Sequence, residues 1–503
     1  MKRKSLKVLL ISLISLIFLL NTCLVYAVPS APPSGGKPGE NGSTKNAPGG
    51  QGGPGGGTGS TNVTHTGATT ISESTTSNGT EYSSNNDSEN ALLVSGGEST
   101  LSNITVTKTG DADGDEADFY GTNAGIFAED GILNIKDSNI TTNGSHANAV
   151  FAYSNGTINI SDSTIKTSSN NSGAVMVTGG GTLTANNVTA ETDGNSSAPI
   201  RSDRGGGTLT VNGGNYTSHG TGSPVIYSTA DITVNDGSLT STASEGVVVE
   251  GKNSVTLNNV TMEATNTKLN GNSETYKSIF IYQSMSGDAD VGTSSFTAKN
   301  SKIINNKGEI IFVTNTSTVI DLENNEIINN DETGGFLKVS SAKWGTTGKN
   351  GGNVKLNATN QKIDGDIYVD NISTLDMSLS NGSSYTGTIN GENTAQNITI
   401  KLDKTSTLTL TGDSYINSLE NELTDNSNIN LNGHTLYVNE NAITSTNYNG
   451  AVENNSTTIQ NNTVEDDVSL NYNTEMIIIV IAIIAVVCAV VVIIIVVIKS
   501  NKR

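Results

Sequence analysis

Short apolar runs recur between about residue 90 and residue 365, and each is followed within a few residues by a triplet that alternates strictly between apolar and polar. The runs include Ala91-Leu92-Leu93-Val94, Ala149-Val150-Phe151-Ala152, Ala174-Val175-Met176-Val177, Val247-Val248-Val249 and Ile310-Ile311-Phe312. The triplets include Leu133-Asn134-Ile135, Ile158-Asn159-Ile160, Leu183-Thr184-Ala185, Leu209-Thr210-Val211, Ile232-Thr233-Val234, Val255-Thr256-Leu257, Phe296-Thr297-Ala298 and Ile320-Asp321-Leu322. Their last residues are spaced by 25, 25, 26, 23, 23, 41 and 24. Repetition at such a period marks a stacked-repeat architecture, because one unit is too small to bury its apolar face alone.

Two residues after each triplet stands Asn or Asp, at Asp137, Asp162, Asn187, Asp236, Asn259, Asn300 and Asn324, with Gly213 as the exception. These residue types share tolerance of left-handed backbone dihedrals, which a sharp bend between strands demands. An apolar residue then returns, at Ile140, Ile165, Val188, Tyr216, Leu239, Val260, Ile303 and Ile327. The period therefore reads strand, turn, strand, Asn bend, strand, loop. That is one rung of a parallel β-helix, whose rungs stack about 4.8 Å apart with backbone groups paired above and below. The fold class is all-β, with regular rungs over 88–365 and irregular terminal rungs with a cap over 366–440. The predicted count is roughly ten to fourteen rungs.

Outside this repeat the pattern changes. Residues 1–27 have a basic start, an apolar run Val8 to Leu20 and a small-residue exit at Ala27, the layout of a cleaved secretory signal. Cys23 offers a rival acylation site, but Asn21 and Thr22 stand where small residues are wanted. Met476 to Ile498 is an unbroken apolar run followed by Lys499, Lys502 and Arg503, which predicts one C-terminal transmembrane helix (476–498) and a cytoplasmic tail (499–503). Residues 28–87 hold six of the eight prolines and then a Ser/Thr/Asn-rich tract, and are expected to be disordered. Residues 441–475 read as a polar stalk.

The apolar share is only 34%, but the 55 glycines can accompany a well-packed ladder. The formal charge of −21 divides unevenly: four cations in the signal and three in the tail leave 20 cations against 48 anions between them, a net of −28. Such a polyanionic exterior repels phosphate backbones and excludes nucleic acid as a partner. The two cysteines, Cys23 and Cys488, fall in the signal and the span, so the exterior has no disulfide and no thiolate site.

With phrases such as Asp118-Phe119-Tyr120-Gly121, Gly222-Ser223-Pro224-Val225-Ile226-Tyr227-Ser228, Val249-Glu250-Gly251-Lys252-Asn253-Ser254 and Leu410-Thr411-Gly412-Asp413-Ser414-Tyr415, the repeat over 88–440 resembles bacterial adhesin-like surface proteins. Their fold is similar to that of pectate lyases. The resemblance implies a right-handed parallel β-helix at the cell surface, and it carries little about activity, because this fold hosts many functions.

Four groups of residues could carry chemistry. Asp203 with Arg201 and Arg204 is the candidate catalytic group for a polysaccharide lyase or hydrolase, since Arg201 interrupts a column otherwise read as Ala128, Ala152, Val177, Tyr227 and Val249; the competing account is a local ion pair. Asp111, Asp113, Asp115 and Asp118 alternate as oxygen ligands for Ca²⁺ would, against the alternative of a solvated acidic loop. Tyr153, Tyr227, Tyr282 and Trp344 could stack on sugar rings or cover the ladder. Thr184, Thr210, Thr233, Thr256 and Thr297 form an outward column that β-branched pairing explains. His65, His146, His219 and His434 are scattered through polar loops and are expected to be exposed. No cofactor is implied beyond Ca²⁺. The expected function is adhesion or glycan and matrix binding by a single-pass membrane-anchored surface protein; the alternatives are the polysaccharide-cleaving enzyme and a passive surface-coat spacer.

Overall fold

The computed structural model describes residues 63–448, apart from residue 272. They form a parallel β-solenoid of the right-handed type with about 15 turns. The expected signal (1–27), the transmembrane segment (476–498), the tail (499–503) and most of the stalk lie outside the described residues. Among the described residues no helix is long and apolar enough to cross a membrane.

The regular rungs contribute three strands each in the predicted order, whereas the turns after Ile367–Val369 lack a first strand in the main sheet. In the first strands, Leu92, Ile126, Val150, Val175, Ile200, Ile226, Val247 and Ile279 pair one above the next. In the second, Leu133, Ile158, Leu183, Leu209, Ile232, Val255, Phe296 and Ile320 do the same. The third strands stack Ile140, Ile165, Ala190, Tyr216, Leu239, Met262, Ile303 and Ile327. Here the sequence reading was two residues early at two rungs, since Val188 and Val260 sit at the bend and Ala190 and Met262 take the ladder position. Most of these side chains are fully buried, and each is worth roughly 1.5–3 kcal/mol by removal from water. Most buried polar groups in such a core are hydrogen-bonded. At the end of the third strand the hydroxyls of Thr167, Thr192 and Ser218 donate to the carbonyls of Ser172, Ser197 and Ser223 at 2.6, 2.5 and 2.7 Å.

The bend residues take the left-handed conformation throughout. Asp137, Asp162, Asn187, Asp236, Asn259, Asn300 and Asn324 have φ between 49° and 56°, and Gly213, the exception in residue type, has φ 69°. The side chains also bond along the stack, as Asn187 Nδ2 to Asp162 Oδ1 at 3.0 Å and Asn324 Nδ2 to Asn300 Oδ1 at 2.7 Å. Asn187→Val should therefore lower unfolding free energy by about 1–2 kcal/mol, because a β-branched residue is strained at positive φ. A urea midpoint within error of the parent would contradict this.

Two expectations need correction. The strands Gly67–Ile71, Thr76–Asn78 and Glu81–Ser84 form a complete rung inside the segment expected to be disordered. Ile71 pairs with Val94 and Tyr82 with Val106, so two apolar residues and the template of the next rung suffice to order a polar stretch. At the other end, Asn441–Ile443 runs antiparallel to Leu436–Val438 and covers a strand edge that would otherwise invite pairing.

Candidate functional site

First strands in this solenoid do not alternate between buried and exposed. Val150, Phe151 and Ala152 are all fully buried, as are Val175, Met176 and Val177. Their outward column runs Phe127, Phe151, Met176, Arg201, Tyr227, Val248, Phe280 and Phe312. The sequence reading placed Arg201 in a column of Ala128, Ala152, Val177, Tyr227 and Val249; Tyr227 does pair with Arg201, but the other four belong to the inward column one residue on. A slip of one residue exchanges the faces of a strand. Arg201 thus interrupts an outward apolar column rather than the core.

That column is covered by chain. Over its early part, His65 lies 4.3 Å from the Phe127 ring and turns Nδ1 to Glu129 Oε2 at 2.8 Å. The short helix Asp115–Tyr120 lies over the same face, where Thr178 Oγ1 donates to Phe119 O at 2.7 Å. Over the later part, Trp344 packs 5.1 Å from Phe280 and 5.3 Å from Tyr282. His65 and His146 are accordingly well buried, with side-chain exposures of 5% and 15%, against the expectation that all four histidines face solvent.

Between the two covered patches is a cleft of about 270 Å³ lined by Ser196, Ala198, Arg201, Asp203, Gly222, Pro224, Tyr227, Asn270 and Tyr282. Arg201 and Asp203 are 6% and 7% exposed. The guanidinium grips the carboxylate with two nitrogens, Nε to Oδ1 at 3.0 Å and Nη2 to Oδ2 at 2.5 Å, and approaches Asp118 Oδ1 at 3.8 Å. Its third nitrogen, Nη1, is buried and has no hydrogen-bond partner among the described residues. Burial works to lower the Arg201 pKa, but Asp203 and Asp118 outweigh it and hold the guanidinium above its usual value. Burial pushes the Asp203 carboxyl up to about 6, against the pull of Arg201. The two shifts point to opposite preferences for the pair; the charge-assisted hydrogen bond from Nε and the close Nη2 contact favour the ionised carboxylate at neutral pH.

Beside this pair, Glu250 accepts hydrogen bonds from the hydroxyls of Tyr227 at 2.5 Å, Tyr282 at 2.9 Å and Ser284. Burial raises its carboxyl, and the hydroxyl bonds pull it back. Both phenols are pushed well above their usual values, first by burial and then by Glu250, so the tyrosines are neutral donors. On the rim, Arg204 Nη2 meets Asp288 Oδ1 at 2.6 Å and its guanidinium lies 3.9 Å over the Phe119 ring. A chain of contacts also leads inward from the loops. Asn171 Nδ2 donates to His146 Nε2 at 2.9 Å, and His146 Nδ1 meets Asp118 Oδ2 at 2.9 Å. The Asp118 bond raises the His146 pKa against its own burial.

The structure sorts the sequence candidates. Arg201, Asp203, Tyr227 and Tyr282 come together in the cleft; Arg204 sits on its rim through Asp288, and Trp344 braces Tyr282 from outside. Tyr153 belongs to the other patch, 6.1 Å from both Phe127 and Tyr120, so it does not share a site with the other aromatics. Among the described side chains, Asp111, Asp113 and Asp118 do not converge on one point as Ca²⁺ ligands would. Asp111 Oδ1 accepts from the Ser145 N–H at 2.7 Å, Asp113 is exposed, Asp115 opens the short helix, and Asp118 faces His146 and Arg201. Among the described residues the group of three metal-competent side chains is instead Glu191, Asp193 and His219 on the surface, where Lys166 lies 3.4 Å from both carboxylates. The Thr column is paired rung to rung and half-buried, as its β-branched chemistry requires.

Glu250, Asn270 and Asp288 escaped the sequence reading. A signal for two of them was present: the one 41-residue interval, Leu257 to Ala298, is where Asn270, Tyr282 and Asp288 reside. Gly222 (φ 64°) admits that insertion, since a Cβ there would come within 2.2 Å of Asn270 Nδ2. Comparison with family models, with curated proteins and with solved structures finds no match for this chain.

Proposed function

We propose that this chain is a membrane-anchored cell-surface protein that binds glycan in the cleft around Arg201 and Asp203, acting in adhesion or matrix contact. The observation that carries the reading is the cleft itself, where a buried guanidinium with an unspent donor stands beside two tyrosines fixed by Glu250. Sugar recognition combines apolar aromatic surface with a few fixed, charge-assisted donors and acceptors, and these residues supply both. The basic-apolar start and the apolar run with its basic tail support the surface location.

A polysaccharide-cleaving enzyme on the same residues is the second reading, favoured by the raised carboxyls of Asp203 and Glu250. Their engagement counts against it, since Asp203 is gripped by Arg201 and Glu250 is shared among three hydroxyls. A general acid or base needs an open path to its proton.

Immobilised full-length chain exposed to a glycan panel should retain a subset of glycans and release no shorter product. Depolymerisation would replace binding by catalysis, and retention of nothing would leave the spacer reading. Retention should hold above about pH 6 and weaken below it, because the Asp203 carboxyl, pushed up to about 6, loses its charge and turns one acceptor oxygen into a donor when protonated. Retention unchanged down to pH 4.5 would remove Asp203 from the site.

A further inference from the structure

We infer that the cleft selects neutral saccharides, taking sugar hydroxyls against the Arg201 and Asp203 side chains that line it, and discriminates against uronates and other anionic sugars. This inference rests on the glycan-binding reading and adds the ligand's charge class.

Two guanidiniums, Arg201 and Arg204, stand among four carboxylates, Asp118, Asp203, Glu250 and Asp288. Arg201 is committed to Asp203 at 2.5 Å and to Asp118 at 3.8 Å, and Arg204 to Asp288 at 2.6 Å. A protonated His146 beside Asp118 adds one positive charge and still leaves the group negative. Among the described residues that line the cleft a sugar carboxylate meets no cation whose charge is free, and it meets Asp203, with Glu250 behind the tyrosines, in surroundings that screen poorly.

A neutral diol fits the same atoms. Each hydroxyl both donates and accepts, so adjacent hydroxyls can pair with the edges of the Arg201 and Asp203 side chains that line the cleft without adding charge. With both phenol hydroxyls turned to Glu250, Tyr227 and Tyr282 are left to contribute ring surface to the cleft. Asn270 adds an uncharged donor and acceptor at the mouth.

The test uses full-length chain and matched oligosaccharides of equal length and linkage, glucan against glucuronan and galactan against galacturonan, with equilibrium binding read at 0.15 M salt. The expected result is that a neutral member binds and its uronate counterpart binds at least about tenfold more weakly, the scale of one adverse charge in a partly desolvated site. Asp288→Asn, a rim change that leaves the Arg201–Asp203 pair in place, should narrow that gap several-fold by releasing Arg204. Uronates binding as tightly as neutral sugars, or an unchanged gap in the Asp288→Asn chain, would overturn the charge selection while leaving glycan binding intact. Failure of every neutral and anionic sugar to bind would instead overturn the underlying reading.

Discussion

Arg201→Leu is expected to destabilise the protein by about 3–5 kcal/mol, because it strands the Asp203 carboxylate where burial penalises charge. Asp203 is 7% exposed and receives both its guanidinium contacts from this one residue. The gain from the pair's attraction is offset by desolvation of both ions, so the pair itself is worth far less than its disruption costs. Arg201→Leu combined with Asp203→Leu should for that reason be more stable than Arg201→Leu alone, since the remaining apolar column of Met176 and Tyr227 then continues unbroken. Urea midpoints of the two single variants and the double variant form the cycle that reads this. Additive losses would mean that the two side chains do not interact in solution.

Phe296→Ala should cost a similar amount, about 3–5 kcal/mol, for a different reason. The ring is fully buried in the second-strand stack between Val255 and Ile320, and its neighbours belong to strands fixed by pairing above and below. Such a site cannot collapse onto a cavity. In a stacked array the loss is also local, weakening both interfaces of one rung. Amide exchange should therefore accelerate most over residues 254–258, 293–299 and 317–323, the three strands in contact. Thr297→Ala, one residue along and facing outward, should stay within about 1 kcal/mol of the parent. Equal effects at 296 and 297 would contradict the assigned faces.

The difference between those two positions was readable from the sequence, because second strands alternate strictly and the Asn or Asp two residues on marks the bend. First strands were harder. Val150, Phe151 and Ala152 are apolar on both faces because the outward face is roofed by His65, the short helix and Trp344, and the pattern gives no cue to which residue points in. The one-residue misplacement of Arg201 follows from that. The rung at 67–84 was missed because Ile71 and Tyr82 are too sparse to show a period by themselves. The cleft was half legible: Arg201, Asp203, Tyr227 and Tyr282 stood out as residue types. Glu250, Asn270 and Asp288 join them only through rung stacking and the long insertion, contacts that bridge 23 to 84 residues of sequence.

The central claim is that one cleft, rather than the repetitive face of the ladder, holds the ligand. Calorimetric titration of full-length chain with a retained oligosaccharide measures this directly through stoichiometry. One ligand per chain, lost in Arg201→Leu while Thr233→Ala has no effect, is the predicted result. Several ligands per chain with unchanged affinity in Arg201→Leu would move recognition to the Thr ladder and contradict the account.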